Sequence, residues 1–143
     1  MQSKLSRAPT LEEIQKLTAF LPILYAPGFV SIEKWEGGKQ TDGTLTLPYP
    51  KYTPQVEEFF MIASQEQWCD FGYIPEIALS MIKEQDFIQS ASLLDIKSML
   101  TFCVCGERFS DGHWGEMIEN GTIRRILERL ITLGAERNDH SKF

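Results

Sequence analysis

Two runs of apolar residues in the C-terminal third constrain the fold more than any other feature of this chain. Leu93, Ile96, Leu100 and Cys103 recur three to four residues apart, and Ile123, Leu127, Leu130 and Leu133 repeat the pattern. Side chains at that spacing share one face of an α-helix. Each stripe needs a cover, so the chain is expected to pack helix on helix. Ser92-Leu93-Leu94-Asp95 starts the first run, and Gly106 is expected to end it as a left-handed terminator. In the second run Arg124, Arg125, Glu128 and Arg129 form the outer face. Gly134 is expected to stop it, leaving 135–143 as a charged tail.

The upstream punctuation adds more elements. Thr10-Leu11-Glu12-Glu13 reads as a capping box opening a helix on Leu11, Ile14, Leu17 and Leu21. Pro22 perturbs that helix and Pro27-Gly28 ends the segment. Phe29 to Trp35 has the aromatic and β-branched content of a strand, Gly37-Gly38 and Asp42-Gly43 mark turns, and Thr44 to Leu47 alternates polar and apolar. A hairpin over about 29–49 is expected, with Leu45 and Leu47 facing a core. Thr53-Pro54 then opens a helix with Val56, Phe59, Phe60 and Ala63 on one face, stopping near Trp68. Asp70 to Tyr73 is a turn, and Pro75 starts a short helix through Ile82, buried by Ile77 and Met81. The fold class is therefore α+β and predominantly helical, one β-hairpin packed against about five helices. The expected organisation is an N-terminal tail (1–10), one globular domain (11–134) and a C-terminal tail.

Composition removes several functions. The formal net charge of −6 over 143 residues repels phosphate backbones, and no long basic run offsets it. No stretch approaches the roughly 18 apolar residues of a membrane span, and the start lacks a secretory segment. Three cysteines make no tidy disulfide framework and suit a reducing, cytoplasmic setting. A membrane role and nucleic-acid binding are both disfavoured, and the oligomeric state stays open.

The densest chemistry lies in GERFSDGHWGEM, residues 106–117. An enzyme or small-molecule binder would use His113 as general base, Asp111 or Glu116 to orient it and Arg108 to hold an anion. A structural junction explains the same residues: Ser110 or Asp111 as cap of a two-turn helix ending at Asn120-Gly121, and Arg108 on exposed helix carbonyls or as a buried strut to Glu119. The structural reading is preferred, so no catalytic residue is assigned. Ser110 sits too close to His113 for a conventional nucleophile and base. A zinc site from Cys103, Cys105 and His113 fails because two helical residues differ by about 200° in direction, which leaves one thiol in the core. Cys69 is expected to be buried as a small hydrophobe. Neither a metal nor another cofactor is expected. Arg124, Arg125 and Arg129 could mimic a helix-turn-helix surface, but Glu107, Asp111, Glu116, Glu119 and Glu128 cancel them, and Arg124 can pair with Glu128.

Leu100-Thr101-Phe102, Gly106-Glu107-Arg108-Phe109, Asp111-Gly112-His113-Trp114 and Ile118-Glu119-Asn120-Gly121, followed by Ile123-Arg124-Arg125, resemble an uncharacterised prokaryotic family. Leu47-Pro48-Tyr49 and Tyr52-Thr53-Pro54-Gln55-Val56 extend the similarity over most of the chain. The resemblance implies no reaction or ligand. The chain departs from the family pattern at Cys105 and Ser110, where relatives often carry arginine and cysteine. The leading functional expectation is a non-catalytic protein-interaction or regulatory module. It would contact a protein partner through the stiff 48–54 segment and an aromatic cluster of Trp35, Tyr49, Tyr52, Trp68, Phe71 and Tyr73, with Tyr49, Tyr52, Trp68 and Tyr73 as the expected binding residues.

Overall fold

A computed structural model describes residues 7–39, 41–84 and 86–141, with the side chains of 39 and 137–141 excepted. In chain order its elements are α1 (Leu11–Thr18), α2 (Leu21–Leu24), β1 (Ile32–Lys39), β2 (Leu45–Tyr52), α3 (Pro54–Ala63), α4 (Pro75–Lys83), α5 (Leu93–Cys105), α6 (His113–Glu119) and α7 (Thr122–Ser141). The fold is α+β and predominantly helical, with one antiparallel hairpin. The capping box at α1 forms as the sequence implies: Glu13 N–H donates to the Thr10 hydroxyl and Thr10 N–H to the Glu13 carboxylate. Residues 7–10, expected within a polar tail, lie on the body. Arg7 grips Glu13 and the Lys97 ammonium donates to the Arg7 carbonyl at 2.9 Å.

The apolar faces converge on one core. Leu17, Phe59, Phe60, Trp68, Ile96, Leu100, Ile123, Leu127 and Leu130 are all essentially inaccessible. A single hydroxyl ties the last two helices together: Tyr25 donates to the Ile118 carbonyl closing α6 and accepts from Arg124 N–H opening α7. Burial raises its pKa to about 12, so it stays protonated and able to do both.

Several expectations need correction. Gly134 does not stop α7, which continues to Ser141. A methyl group on Gly134 would meet Ile14 and Leu11 at 3.3 and 3.4 Å, so the glycine lets α1 lie close against α7. In α4 the buried residues are Ala78 and Ile82, whereas Ile77 is exposed. Gly37 and Gly38 are not the hairpin turn. They lie within β1 at a register shift between Glu36 and Gly38, and a side chain on Gly37 would strike the Leu47 carbonyl at 2.6 Å. Asp42-Gly43 does turn, with Asp42 accepting from Thr44 N–H and its hydroxyl.

The hairpin also faces the other way from the expected one. Leu45 and Leu47 are 77% and 85% exposed, because alternation places them with Tyr49 on the side of the ribbon opposite the buried Tyr52. Neither side chain fills a core position, so Leu45→Ser and Leu47→Ser should each leave the urea midpoint within about 0.5 kcal/mol of the parent. A loss above about 2 kcal/mol would show that they are packed after all.

Candidate functional site

The stretch 106–117 bridges α5 and α6, and its geometry begins with two residues to which the sequence reading gave other roles. Gly106 caps α5 in an ordinary right-handed conformation, φ −63° and ψ −24°, which corrects its expected role as left-handed terminator. The reason for a glycine is His113. A methyl group at Gly106 would lie 2.3 to 2.6 Å from three atoms of the imidazole, so the ring can sit over the helix end only if residue 106 has no side chain.

Glu107 is the second. Neither Ser110 nor Asp111 caps α6, because the N-cap is Gly112, at φ +92°, and both expected caps are exposed. The carboxylate of Glu107 takes over that task. One oxygen accepts from Gly112 N–H at 2.9 Å, and the other accepts from Trp114 N–H at 2.8 Å and from the Tyr52 hydroxyl at 2.7 Å. An anion at a helix N-terminus meets both unpaired donors and the positive end of the dipole. Tyr52 brings β2 into the junction. Its ring lies 5.2 Å from that of Trp114, which stacks on Phe60 at 4.5 Å and donates its indole N–H to the Val104 carbonyl. Burial, together with the hydrogen bond to Glu107, raises the Tyr52 pKa and keeps its proton in place.

Of the four candidate catalytic residues, Asp111 and Glu116 line one groove, and Arg108 and His113 do not line it. Arg108 is exposed, so it is no buried strut to Glu119. Asp111 and Glu116 are exposed on the side of α6 towards β1. His113 is half-buried, edge-on to Phe102 at 5.3 Å, hydrogen-bonded to the Phe102 carbonyl and with a buried Nε2 that has no partner. Burial lowers its pKa below the ordinary 6.5, outweighing Glu116 and Glu107. The unfolded chain thus takes up the proton at a higher pH than the folded one. Stability should fall as pH drops through the unfolded value of about 6.5 towards the lower folded value. Urea midpoints at about pH 7.5 and about pH 5.5 should differ less in His113→Gln than in the parent. Equal differences in both would contradict this.

A groove of about 880 Å³ runs between β1 and α6, lined by Val30, Ile32, Glu33, Lys34, Trp35, Asp111, Gly112, Glu116, Glu119 and Asn120. Trp35 is 53% exposed, and its ring edge rests over Gly112, where a methyl group would meet it at 3.3 Å. Gly112 is therefore fixed twice, by its positive φ and by the indole above it. Glu33 pairs with Lys51 and Lys34 with Glu36 within the hairpin. No ion pair to a described residue engages Asp111, Glu116 or Glu119. A smaller pocket of about 250 Å³, bounded by Leu24, Phe29, Ser31 and Ile118 among others, shares Glu119 with the groove.

Of the aromatics expected to meet a partner, Trp68 is fully buried and Tyr52 is 6% exposed, so both belong to the core and junction. This corrects their place in a contact surface: each ring is already covered by the helices. Tyr49 is exposed and donates to the Glu36 carboxylate at 3.0 Å, while Tyr73 is half-buried beside Cys105. Cys103 is buried, and Cys105 and Cys69 are half-buried. Among the described residues no group of three or more His, Cys, Asp or Glu could hold a metal ion. Arg124 pairs with Glu128 and lies over the Tyr25 ring, and Arg129 donates to the Ala91 carbonyl. Among the described residues no helix is long and apolar enough to cross a membrane.

Sequence reasoning missed the junction roles of Gly106 and Glu107 and the meeting of Trp35 and Glu119 at one groove. Only the crowding of a glycine and a charged residue immediately after a helix hinted at the first two, and nothing local linked β1 to α6. Comparison with known proteins yields one match: the model of DUF6508, described as a family of unknown function, covers residues 9–136. No curated protein and no solved structure matches the chain.

Proposed function

We propose, for a chain that belongs to the DUF6508 family of unknown function, a non-catalytic role as a protein-interaction or regulatory module acting through the groove between β1 and α6. The observation that carries this reading is the exposed Trp35, braced on Gly112 at the edge of an open groove of about 880 Å³. Half-exposed aromatics on rigid supports are favoured contact residues, since they bury a large area at small entropic cost. Arg108 and His113 do not line the groove that Asp111 and Glu116 share, which supports binding over catalysis. The engagement of Arg124 and Arg129 and the acidic groove support a protein partner over nucleic acid. The reading includes a prokaryotic, cytoplasmic setting, to which the buried Cys103 thiol is suited.

The test is affinity capture from a lysate of the source organism, comparing the parent with Trp35→Ala and quantifying bound proteins by mass spectrometry. A protein retained by the parent and depleted roughly fivefold or more by the variant is the expected result. Retention that does not differ between the two, or none above bare resin, would overturn the reading.

A further inference from the structure

We propose a second site, apart from the groove between β1 and α6, that holds one phosphate or phosphate-monoester headgroup between Arg125 and Arg129 of α7 and Gln89 of the turn at Ile88–Ser90. These three side chains, with Glu128 and Thr132, line a recess of about 150 Å³ that shares no lining residue with the groove. Arg125, Arg129 and Thr132 follow one another at spacings that put them on one face of the helix. The recess is below the roughly 300 Å³ at which pockets begin to enclose drug-sized ligands, so it suits one small ion or headgroup and not a nucleotide.

Unmatched positive charge singles the recess out. The chain carries 20 acidic against 14 basic residues, yet neither guanidinium has an ion pair to a described residue. Glu128, the one carboxylate in the lining, is taken by Arg124 at 3.4 Å. Arg125 is half-buried, its Nε is inaccessible and without an acceptor, and its two terminal nitrogens hydrogen-bond no described residue. Taking part of a charged group out of water without a partner is costly. Arg129 is fixed by its Nε, which donates to the Ala91 carbonyl at 2.9 Å, and its two terminal nitrogens hydrogen-bond no described residue. The exposed Gln89 carboxamide adds two donors. Thr132 spends its hydroxyl on the Glu128 carbonyl. Two guanidinium forks and an amide present donors in several directions, which the tetrahedral oxygens of a phosphate use more fully than the two of a carboxylate. One such recess does not make a nucleic-acid surface, since Arg124 is held by Glu128 and the net charge of −6 repels a phosphate polymer.

The experiment titrates the full ¹⁵N-labelled chain with inorganic phosphate at constant pH and ionic strength and follows the arginine Nε–H signals and the Gln89 side-chain amide. Saturable shifts are expected at Arg125, Arg129 and Gln89, while the exposed Arg108 and the Glu128-bound Arg124 stay unmoved. Half-saturation should need about fivefold more phosphate in Arg125→Gln and in Arg129→Gln. Arg125→Lys keeps the stem and the charge but loses the fork, and should weaken binding about threefold with thermal unfolding unchanged. Titration with glycerol phosphate identifies the source of the headgroup: half-saturation at a lower concentration than inorganic phosphate marks a monoester as the ligand, and at an equal or higher one the free ion. Shifts that never saturate, equal movement of Arg108 and Arg124, or an unchanged half-saturation in Arg125→Gln would overturn the proposal, since the ion would then only screen the surface.

Discussion

Replacing Glu107 by alanine should cost about 3 kcal/mol of stability, among the largest effects of any substitution outside the apolar core. The carboxylate accepts three hydrogen bonds, from Gly112 N–H, Trp114 N–H and the Tyr52 hydroxyl. Alanine leaves all three donors without an acceptor in a partly enclosed place, and each unpaired group costs about 1–3 kcal/mol unless water reaches it. Glutamine should cost less, about 1.5 kcal/mol, because one amide oxygen can keep Tyr52 and Trp114 while the NH₂ faces the Gly112 donor. Tyr52→Phe removes one of the three bonds and should cost about 1 kcal/mol alone. Combined with Glu107→Ala it should add much less, since the bond has already gone. Urea unfolding of the four proteins measures this cycle, and full additivity would show that Tyr52 and Glu107 act independently.

Gly106→Ala should destabilise by about 2 kcal/mol through overpacking, although alanine is the better helix residue at this right-handed position. The added methyl falls within 2.6 Å of the His113 ring, so the imidazole must leave its place over the helix end and lose its contacts with Phe102. The sign should reverse when the obstacle is removed. In a His113→Ala background the same substitution should stabilise by about 0.5–1 kcal/mol, the ordinary gain of alanine over glycine in a helix. Destabilisation of equal size in both backgrounds would place the requirement for glycine in the backbone and not in the histidine.

Local signals predicted local structure. Thr10 and Glu13 form their capping box, Ser92 caps α5, Gly121 ends α6 in a left-handed conformation, and the apolar stripes of α5 and α7 are buried. Each follows from residues within one or two turns of each other. What the sequence hid depends on residues brought together from afar. Leu45 and Leu47 alternate as a half-buried strand should, yet no helix covers their side of the ribbon, and alternation alone does not say which face is inward. Gly134 and Gly106 look like terminators because glycine commonly ends helices, but each is retained for a neighbour, Ile14 with Leu11 in one case and His113 in the other. Glu107 appeared as one carboxylate among several. Its role required Tyr52, 55 residues earlier, to arrive beside it. The candidate site was half legible, since Asp111 and Glu116 do share the wall of a groove with Trp35, whereas Arg108 and His113 point to other duties.

The central claim is a division of labour among carboxylates: Glu107 turns inward and holds the junction, while Asp111, Glu116 and Glu119 line the groove with no ion pair to a described residue. The most direct test is the urea stability of the triple variant Asp111→Asn, Glu116→Gln, Glu119→Gln beside Glu107→Ala. The triple variant should stay within about 1 kcal/mol of the parent, since its groups are exposed and like charges are relieved. If it unfolds as readily as Glu107→Ala, the groove carboxylates are part of the architecture and the division fails.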